Sequence, residues 1–283
     1  MTKWAMVIDV SKCIACYACF TACKDEFWDN DYPPYSSGIK KREQTLIRLL
    51  KKERGKFPHV KVAYMPILCM QCNFPKCVDA AKNNAAYKRV DGVVIIDPAR
   101  ASGQKEIVDA CPYNAVSWND EKNLPQKCTF CVHRLEGGEK PRCVEVCPSN
   151  AMIFGDLEDQ ESEVGKIVKS RLAEPFHPEY GTEPNVYYLN LYKMTRHFIA
   201  GNVAFKDADA CAEGVEVKLI KEETGESKTS ITDVFGCFDF DGLEPNTKYC
   251  LTLNYPGYAS KKIGIALGES SVYLGYIFLE RQE

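Results

Sequence analysis

Long hydrophobic runs are missing from this 283-residue chain. Its apolar stretches, of which Val90 to Ile96 is typical, are broken by charge, Gly or Pro well short of the ~20 residues that a spanning helix needs. No membrane span is expected. The first ten residues include Asp9 and run directly into a cysteine motif, with neither the apolar core nor the cleavage site of a secretory signal. A cytoplasmic address is the expectation, with export beside a signal-bearing partner left open. Phosphate loops, a nucleophile elbow and a Gly-x-Gly-x-x-Gly turn opening a helix are all absent, which excludes the common nucleotide-binding and esterase readings. The four histidines, His59, His133, His177 and His197, are scattered without zinc-like pairing. Positive charge is interleaved with acids rather than gathered on one helix, so nucleic acid is not an expected partner.

What the chain has in excess is cysteine. Of fifteen, twelve lie between Cys13 and Cys147, and only Cys211, Cys237 and Cys250 lie beyond. Charge divides along the same line: residues 1–150 contain 23 Lys plus Arg against 17 Asp plus Glu, and the remainder 13 against 22. Bound anionic clusters would offset the positive charge of the thiol-rich half, whereas neutral disulfides would not.

The sequence predicts an α+β chain in three parts. Residues 1–155 read as short loops around cysteines with brief strands. Within them, an insert between Cys23 and Cys69 carries a β-hairpin, Thr45 to Lys52 and Val60 to Pro66, about a turn at Glu53 to Lys56. Ala101 to Ala110 reads as a short helix ending at Cys111-Pro112. Residues 156–196 are acidic and polar, with a helix at Ser162 to Leu172 and an extended stretch at Pro184 to Leu189, and read as a linker or arm that packs on a partner. Residues 197–283 alternate apolar with polar residues in runs such as Val215 to Ile220 and Gly236 to Phe240, separated by turns, and predict an all-β sandwich or small barrel. That domain resembles the transthyretin-like and carboxypeptidase-regulatory-like β-domains, an analogy that carries no function.

The run Cys13-x2-Cys16-x2-Cys19-x3-Cys23 is the decisive motif. Three thiolates at intervals of three wrap one face of a cubane, and the fourth is carried on to serve the other cluster of a two-cluster ferredoxin. Zinc favours two Cys-x2-Cys knuckles from separate hairpins instead. The other eight cysteines are Cys69-x2-Cys72-x4-Cys77, then Cys111 before Pro112, then Cys128-x2-Cys131-x11-Cys143-x3-Cys147-Pro148. Three triplets and three single cysteines suffice for three 4Fe-4S clusters.

The order of these motifs, the eleven-residue gap in the last, and the run from Cys143 through Pro148 to Ala151 followed by Phe154-Gly155-Asp156 resemble the iron–sulfur subunits of molybdenum enzymes of the dimethyl sulfoxide reductase family. The resemblance covers residues 4 to about 195 and implies a double two-cluster ferredoxin-like domain whose first motif is cross-paired with the fourth and second with third. It implies one cluster on Cys13, Cys16, Cys19 and Cys147, another on Cys128, Cys131, Cys143 and Cys23, and a third on Cys69, Cys72, Cys77 and Cys111. The family's fourth cluster would fall on Ala101, Gln104, Ile107 and Ala81, none of which ligates iron. Three clusters followed by a β-domain, with Cys69-Met70-Gln71-Cys72, Cys111-Pro112-Tyr113 and Val186-Tyr187-Tyr188, are similar to the small subunits of anaerobic transhydroxylases and hydroxylases of phenolic rings.

The resemblance implies an electron-transfer subunit without catalytic residues of its own, paired with a large subunit that holds molybdenum on two molybdopterin guanine dinucleotides. A higher oligomer of that heterodimer and an external electron donor or acceptor are left open. Alternative readings are an iron–sulfur subunit of a molybdenum enzyme for formate, nitrate, sulfur or arsenic compounds, and a scaffold with structural clusters. Lys24, Lys76 and Lys127 adjoin ligand positions and either raise cluster potentials by their field or are solvated surface lysines. Tyr17, Phe20, Phe74, Tyr113 and Phe130 would shield clusters from water, and His133 would pack or donate a hydrogen bond near one. Cys211, Cys237 and Cys250 are expected to act as small apolar side chains.

Overall fold

In chain order the computed structural model, which describes residues 2–282 apart from 43 and 209, opens with β1 (Trp4–Asp9), α1 (Ala18–Phe27) and the hairpin β2 (Arg48–Lys56) and β3 (His59–Ile67). Then follow α2 (Lys76–Asp79), β4 (Ala86–Lys88), β5 (Val94–Ile96), α3 (Glu106–Asp109), β6 (Val116–Asn119), β7 (Leu124–Lys127), α4 (Val132–Glu136) and α5 (Arg142–Glu145). After them come β8 (Met152–Asp156), α6 (Glu163–Lys169), β9 (Ala173–Pro175), β10 (Val186–Leu189) and α7 (Tyr192–Thr195). Contacts divide the chain into two units, Met1–Lys51 with Tyr64–Leu191, and Lys52–Ala63 with Tyr192–Glu283.

In the first unit β1 is buried from Ala5 onward because Ala5-Met6-Val7-Ile8 is apolar at every position, the pattern of a strand covered on both faces. It pairs antiparallel with β8 and parallel with β10, and β9 closes the far edge of β10. Residues 156–196, an arm by sequence, thus supply α6, β9 and β10 to this unit as far as Leu191. The helix expected from Ser162 is Glu163–Lys169, with the Ser162 hydroxyl accepting from the Gly165 N–H at 2.9 Å. The helix expected over Ala101 to Ala110 is one turn, because Gly103 takes a positive φ of 78° and breaks the approach. The insert hairpin is longer than its sequence suggests: it turns at Phe57-Pro58, so that Glu53 to Lys56 lie in β2.

The second unit consists of the hairpin tip, α7, β11 (His197–Phe205), β12 (Ala210–Cys211), β13 (Glu216–Lys221), β14 (Ser227–Ile231), β15 (Cys237–Leu243), β16 (Thr247–Asn254), β17 (Lys261–Leu267) and β18 (Val272–Leu279). One sheet has β11 at its centre, bonded to β12, β15 and, in parallel, β18; the other runs β14-β13-β16-β17. Alternation sends Val217, Leu219, Leu251 and Leu253 from one sheet, and Phe238, Phe240, Ile277 and Leu279 from the other, into a single core. Gly236 opens β15 with φ of 72°, and a Cβ there would lie 2.2 Å from the Val203 carbonyl oxygen. Gly236→Ala is therefore expected to destabilise this unit by more than ~1 kcal/mol, since left-handed strain adds to the clash. An unchanged melting transition would contradict that packing. Among the described residues no helix is long and apolar enough to cross a membrane.

Candidate iron–sulfur sites

The twelve cysteines of the first unit are placed by tight loops that only a few backbone conformations allow. Ala15 and Tyr17 take positive φ of 56° and 61°, curling the first motif so that the Ala15 N–H faces Cys13. Helix α1 then starts and carries Cys19 and Cys23, one turn apart, on its buried face with Phe27. Gln71 (φ 48°) performs the same turn between Cys69 and Cys72, and Phe130 (φ 54°) between Cys128 and Cys131. Cys77 lies in α2, Cys143 in α5, and Cys131 caps α4. The two Cys-Pro-x-Asn-Ala stretches adopt one local form. Asn114 and Asn150 are left-handed, and the next N–H, of Ala115 or Ala151, points at Cys111 Sγ (3.4 Å) or Cys147 Sγ (3.3 Å).

Which thiols stand together is read from the fields they exert on one another. Cys13 feels Cys147 and Cys16, and Cys19 feels Cys13, Cys147 and Cys16. Cys23, though one helical turn from Cys19, feels Cys128, Cys143 and Cys131 first. Cys72 feels Cys69, Cys77 and Cys111. These fields associate Cys13, Cys16 and Cys19 with Cys147, Cys23 with Cys128, Cys131 and Cys143, and Cys72 with Cys69, Cys77 and Cys111, the three sets that the resemblance implies. Fields also pass between sets, from Cys19 to Cys23 and Cys143, and from Cys69 to Cys128. The set built on Cys128 is therefore the one that shares fields with both of the others. All four of its thiols are buried, whereas Cys16 of the first set is exposed and Cys72 and Cys111 of the last are half-buried.

Nine of these thiols are poor anions as they stand. Burial first, and neighbouring thiols next, push Cys19 up to about 11 and Cys72 up to about 12. Burial is the leading cause of the rise of Cys77 and Cys131 to about 11, and it also raises Cys13, Cys23, Cys111, Cys128 and Cys143. Ligation needs the thiolate, so each set suits a positively charged inorganic core that would offset what burial opposes. The N–H groups aimed at sulfur fit the same purpose, as does the Phe130 N–H at 3.4 Å from Cys128 Sγ. Among the described residues no three His, Cys, Asp or Glu side chains close on one point as a single-ion site does.

The four positions that lack cysteine also converge. Ala101 and Ile107 are fully buried in a cluster with Ala85, Val94, Ile96 and Val116, and Ala81 packs against it. Gln104 is buried beside them; its Oε1 accepts from the Lys82 N–H at 2.8 Å and its Nε2 donates to the Arg100 carbonyl at 2.8 Å. Hydrocarbon and one clamping amide occupy this place beside Cys77 and Cys111 of the last set, and among the described residues these four positions supply no thiol of their own.

Around the cysteines, Phe130 and Tyr113 are buried and Phe20 is half-buried, while Tyr17 and Phe74 are more than half exposed and shield least. His133 is turned to Glu26 (Nε2 to Oε1, 3.0 Å) and stacks on Tyr32 at 3.6 Å, a packing role. Lys76 is exposed, Lys24 half-buried, and Lys127 buried. Sequence reasoning passed over Gln71 and Thr182. Gln71 is fully buried and bridges Cys128 O (2.9 Å) to the Val94 N–H (2.8 Å), and the Thr182 hydroxyl bonds to Cys72 and to Tyr113. A polar residue inside a ligand triplet was the available signal for Gln71; for Thr182 there was none. In the second unit Cys211 is exposed, and Cys237 and Cys250 are half-buried rather than core residues. Cys237 Sγ instead accepts from Asn202 Nδ2 at 2.9 Å.

Residues 60–157 match the family model of a 4Fe-4S dicluster domain. The chain is 36% identical to the pyrogallol hydroxytransferase small subunit of Pelobacter acidigallici over 99% of its own length and 100% of that protein. It is 36% identical to a tetrathionate reductase subunit of Salmonella typhimurium, over 67% of this chain and 73% of that one. With the arsenate respiratory reductase iron–sulfur subunit of Shewanella sp. it shares 31% identity over 67% of this chain and 97% of the other.

Proposed function

Because the chain belongs to the iron–sulfur subunits of molybdenum enzymes, we propose that it carries three 4Fe-4S clusters and passes electrons to and from a large molybdopterin-bearing partner acting on a phenolic ring. The observation that carries the reading is the sorting of twelve thiols into three sets of four, with the fourth set of positions closed by Ala81, Ala101, Gln104 and Ile107. The clusters would supply one-electron chemistry. The chain's part is to hold each set at its depth, offset its charge and exclude water, and it contributes no bond-making residue.

The order of the sets supports a relay with the Cys128 set as its middle member. The first set, with Cys16 exposed and Ile14 and Tyr17 65% and 51% exposed around it, is the end open to the partner. The phenolic substrate is inferred from the match to the pyrogallol enzyme, which takes in the whole chain, whereas the tetrathionate and arsenate enzymes match two thirds of it. The second unit, two sheets about one core, fits a β-sandwich and adds no donor set to the relay.

The test is iron, acid-labile sulfide, molybdenum and low-temperature electron paramagnetic resonance on the complex purified without oxygen, before and after pyrogallol or resorcinol. About twelve iron and twelve sulfide per small subunit are expected, with molybdenum in the large one and cluster signals that respond to the phenol. About sixteen iron would overturn the closed fourth site. Zinc without sulfide would overturn the cluster reading, and signals indifferent to phenols would move the substrate to another class.

A further inference from the structure

Lys127 ends β7 next to Cys128 and is only 3% exposed. Its ammonium donates to the carbonyl oxygens of Val94 and, at 3.1 Å, Cys128. No carboxylate among the described residues shares those bonds. Its field reaches Cys77 and Cys111 of the last set and Cys128 of the middle one. A buried cation is costly unless counter-charge stands near it, and two carbonyl dipoles supply only part of that. The two thiolate sets on either side lie within its field and supply further negative charge once ligated.

Lys24 makes the contrast clear. It is half-buried, donates to the Gln44 carbonyl at 2.6 Å and to that of Lys40, and its field reaches Cys23 alone among the twelve cysteines. The leading influences on Cys13 and Cys19 include no cation. Positive charge inside the first unit is therefore placed at the middle and last sets.

We propose that Lys127 is a potential-setting residue: its buried ammonium, shared by the Cys128 and Cys69 sets, favours the reduced state of the clusters they would hold, so that electrons rest at that end of the relay. The inference rests on the three-cluster reading. The two clusters on these sets would between them take the two electrons released by the partner's centre, one each, and each would gain one negative charge, which the ammonium stabilises; no bond forms or breaks. The relay then runs downhill from the exposed set inward, and serves as a store as well as a wire.

The experiment is a potentiometric titration, read by electron paramagnetic resonance, of the anaerobically purified complex with wild-type, Lys127→Met, Lys127→Arg and Gln71→Glu small subunits. Gln71 bonds to Cys128 O and Val94 N–H, the same two residues whose carbonyls hold the ammonium. Glu at that position neutralises Lys127 without removing it. Lys127→Met is expected to lower two of the three midpoints by about tenfold in the reduction equilibrium, ~59 mV for one electron, leaving the third in place. Gln71→Glu should lower the same two, and Lys127→Arg should keep wild-type values. Unchanged potentials in both Lys127→Met and Gln71→Glu would overturn the proposal, and so would an equal shift of all three. If Lys127→Met loses iron, Gln71→Glu decides. A wild-type subunit without about twelve iron per chain fails earlier, at the cluster reading itself.

Discussion

Cys128→Ser is expected to lower the iron content of the subunit from about twelve to about eight per chain and to cut the relay in its middle. Cys128 is buried and stands in the field of Cys131, of its own set, and of Cys69, of the next. Loss of its cluster leaves the Cys13 set facing the partner and strands the Cys69 set. On addition of substrate to the anaerobic complex, one cluster signal should still respond and one should fall silent although present. Cys16→Ser is the comparison: it removes the exposed end, so both remaining signals should fall silent. Replacing Cys211, Cys237 and Cys250 together should leave the iron content unchanged. A Cys128→Ser subunit that keeps twelve iron, or in which both remaining signals still respond to substrate, would sink the proposed order.

The cysteine motifs stand out in the sequence because ligation fixes spacing. A cubane face requires three thiolates at short intervals, and the resemblance supplied the cross-pairing that the fields between Cys23 and the Cys128 set now accompany. The strands were legible where one face is buried: Glu216 to Lys221 alternates, and the structure buries Val217 and Leu219. Three features lay beyond local pattern. Residues 186–189 read as an arm, yet β10 runs parallel to β1 with Val186 opposite Met6, a partnership 180 residues apart in the chain that no window can contain. The depth of Lys127 was equally hidden, since a lysine beside a ligand is exposed at residue 76 and buried at 127, and tertiary packing alone separates the two. Gln104 shows the same limit. Its failure to ligate iron is plain from its side chain, but its role as a clamp on the Lys82 backbone depends on a fold that brings residues 82 and 104 together.

The insert tip belongs to the second unit through a charge pair that sequence did not suggest, and breaking it should have the largest effect on that unit's stability. Arg54, its side chain 2% exposed, forks onto Asp241 of β15 (2.6 and 3.1 Å) and donates to the Arg196 carbonyl (3.2 Å). Asp241 also receives the Gly242 N–H at 2.7 Å and the Lys61 ammonium at 3.3 Å. Removing one partner of a buried pair strands the other, so Arg54→Met is expected to destabilise this unit by about 3–5 kcal/mol. Arg54→Met with Asp241→Leu should recover part of that loss, because no charge is then left unpaired. The pair also sets a pH dependence. Burial raises the Asp241 carboxyl, but Arg54, the Gly242 N–H and Lys61 outweigh it and hold the group below its ordinary value. A depressed carboxylate stabilises the fold fully above its unfolded value, about 3.9, and loses that contribution as pH falls through the folded one. The wild-type protein should therefore lose stability below about pH 4 more steeply than the double variant, as read from denaturant unfolding across pH 2.5 to 7. Parallel profiles for the two proteins would show that the pair carries no such linkage.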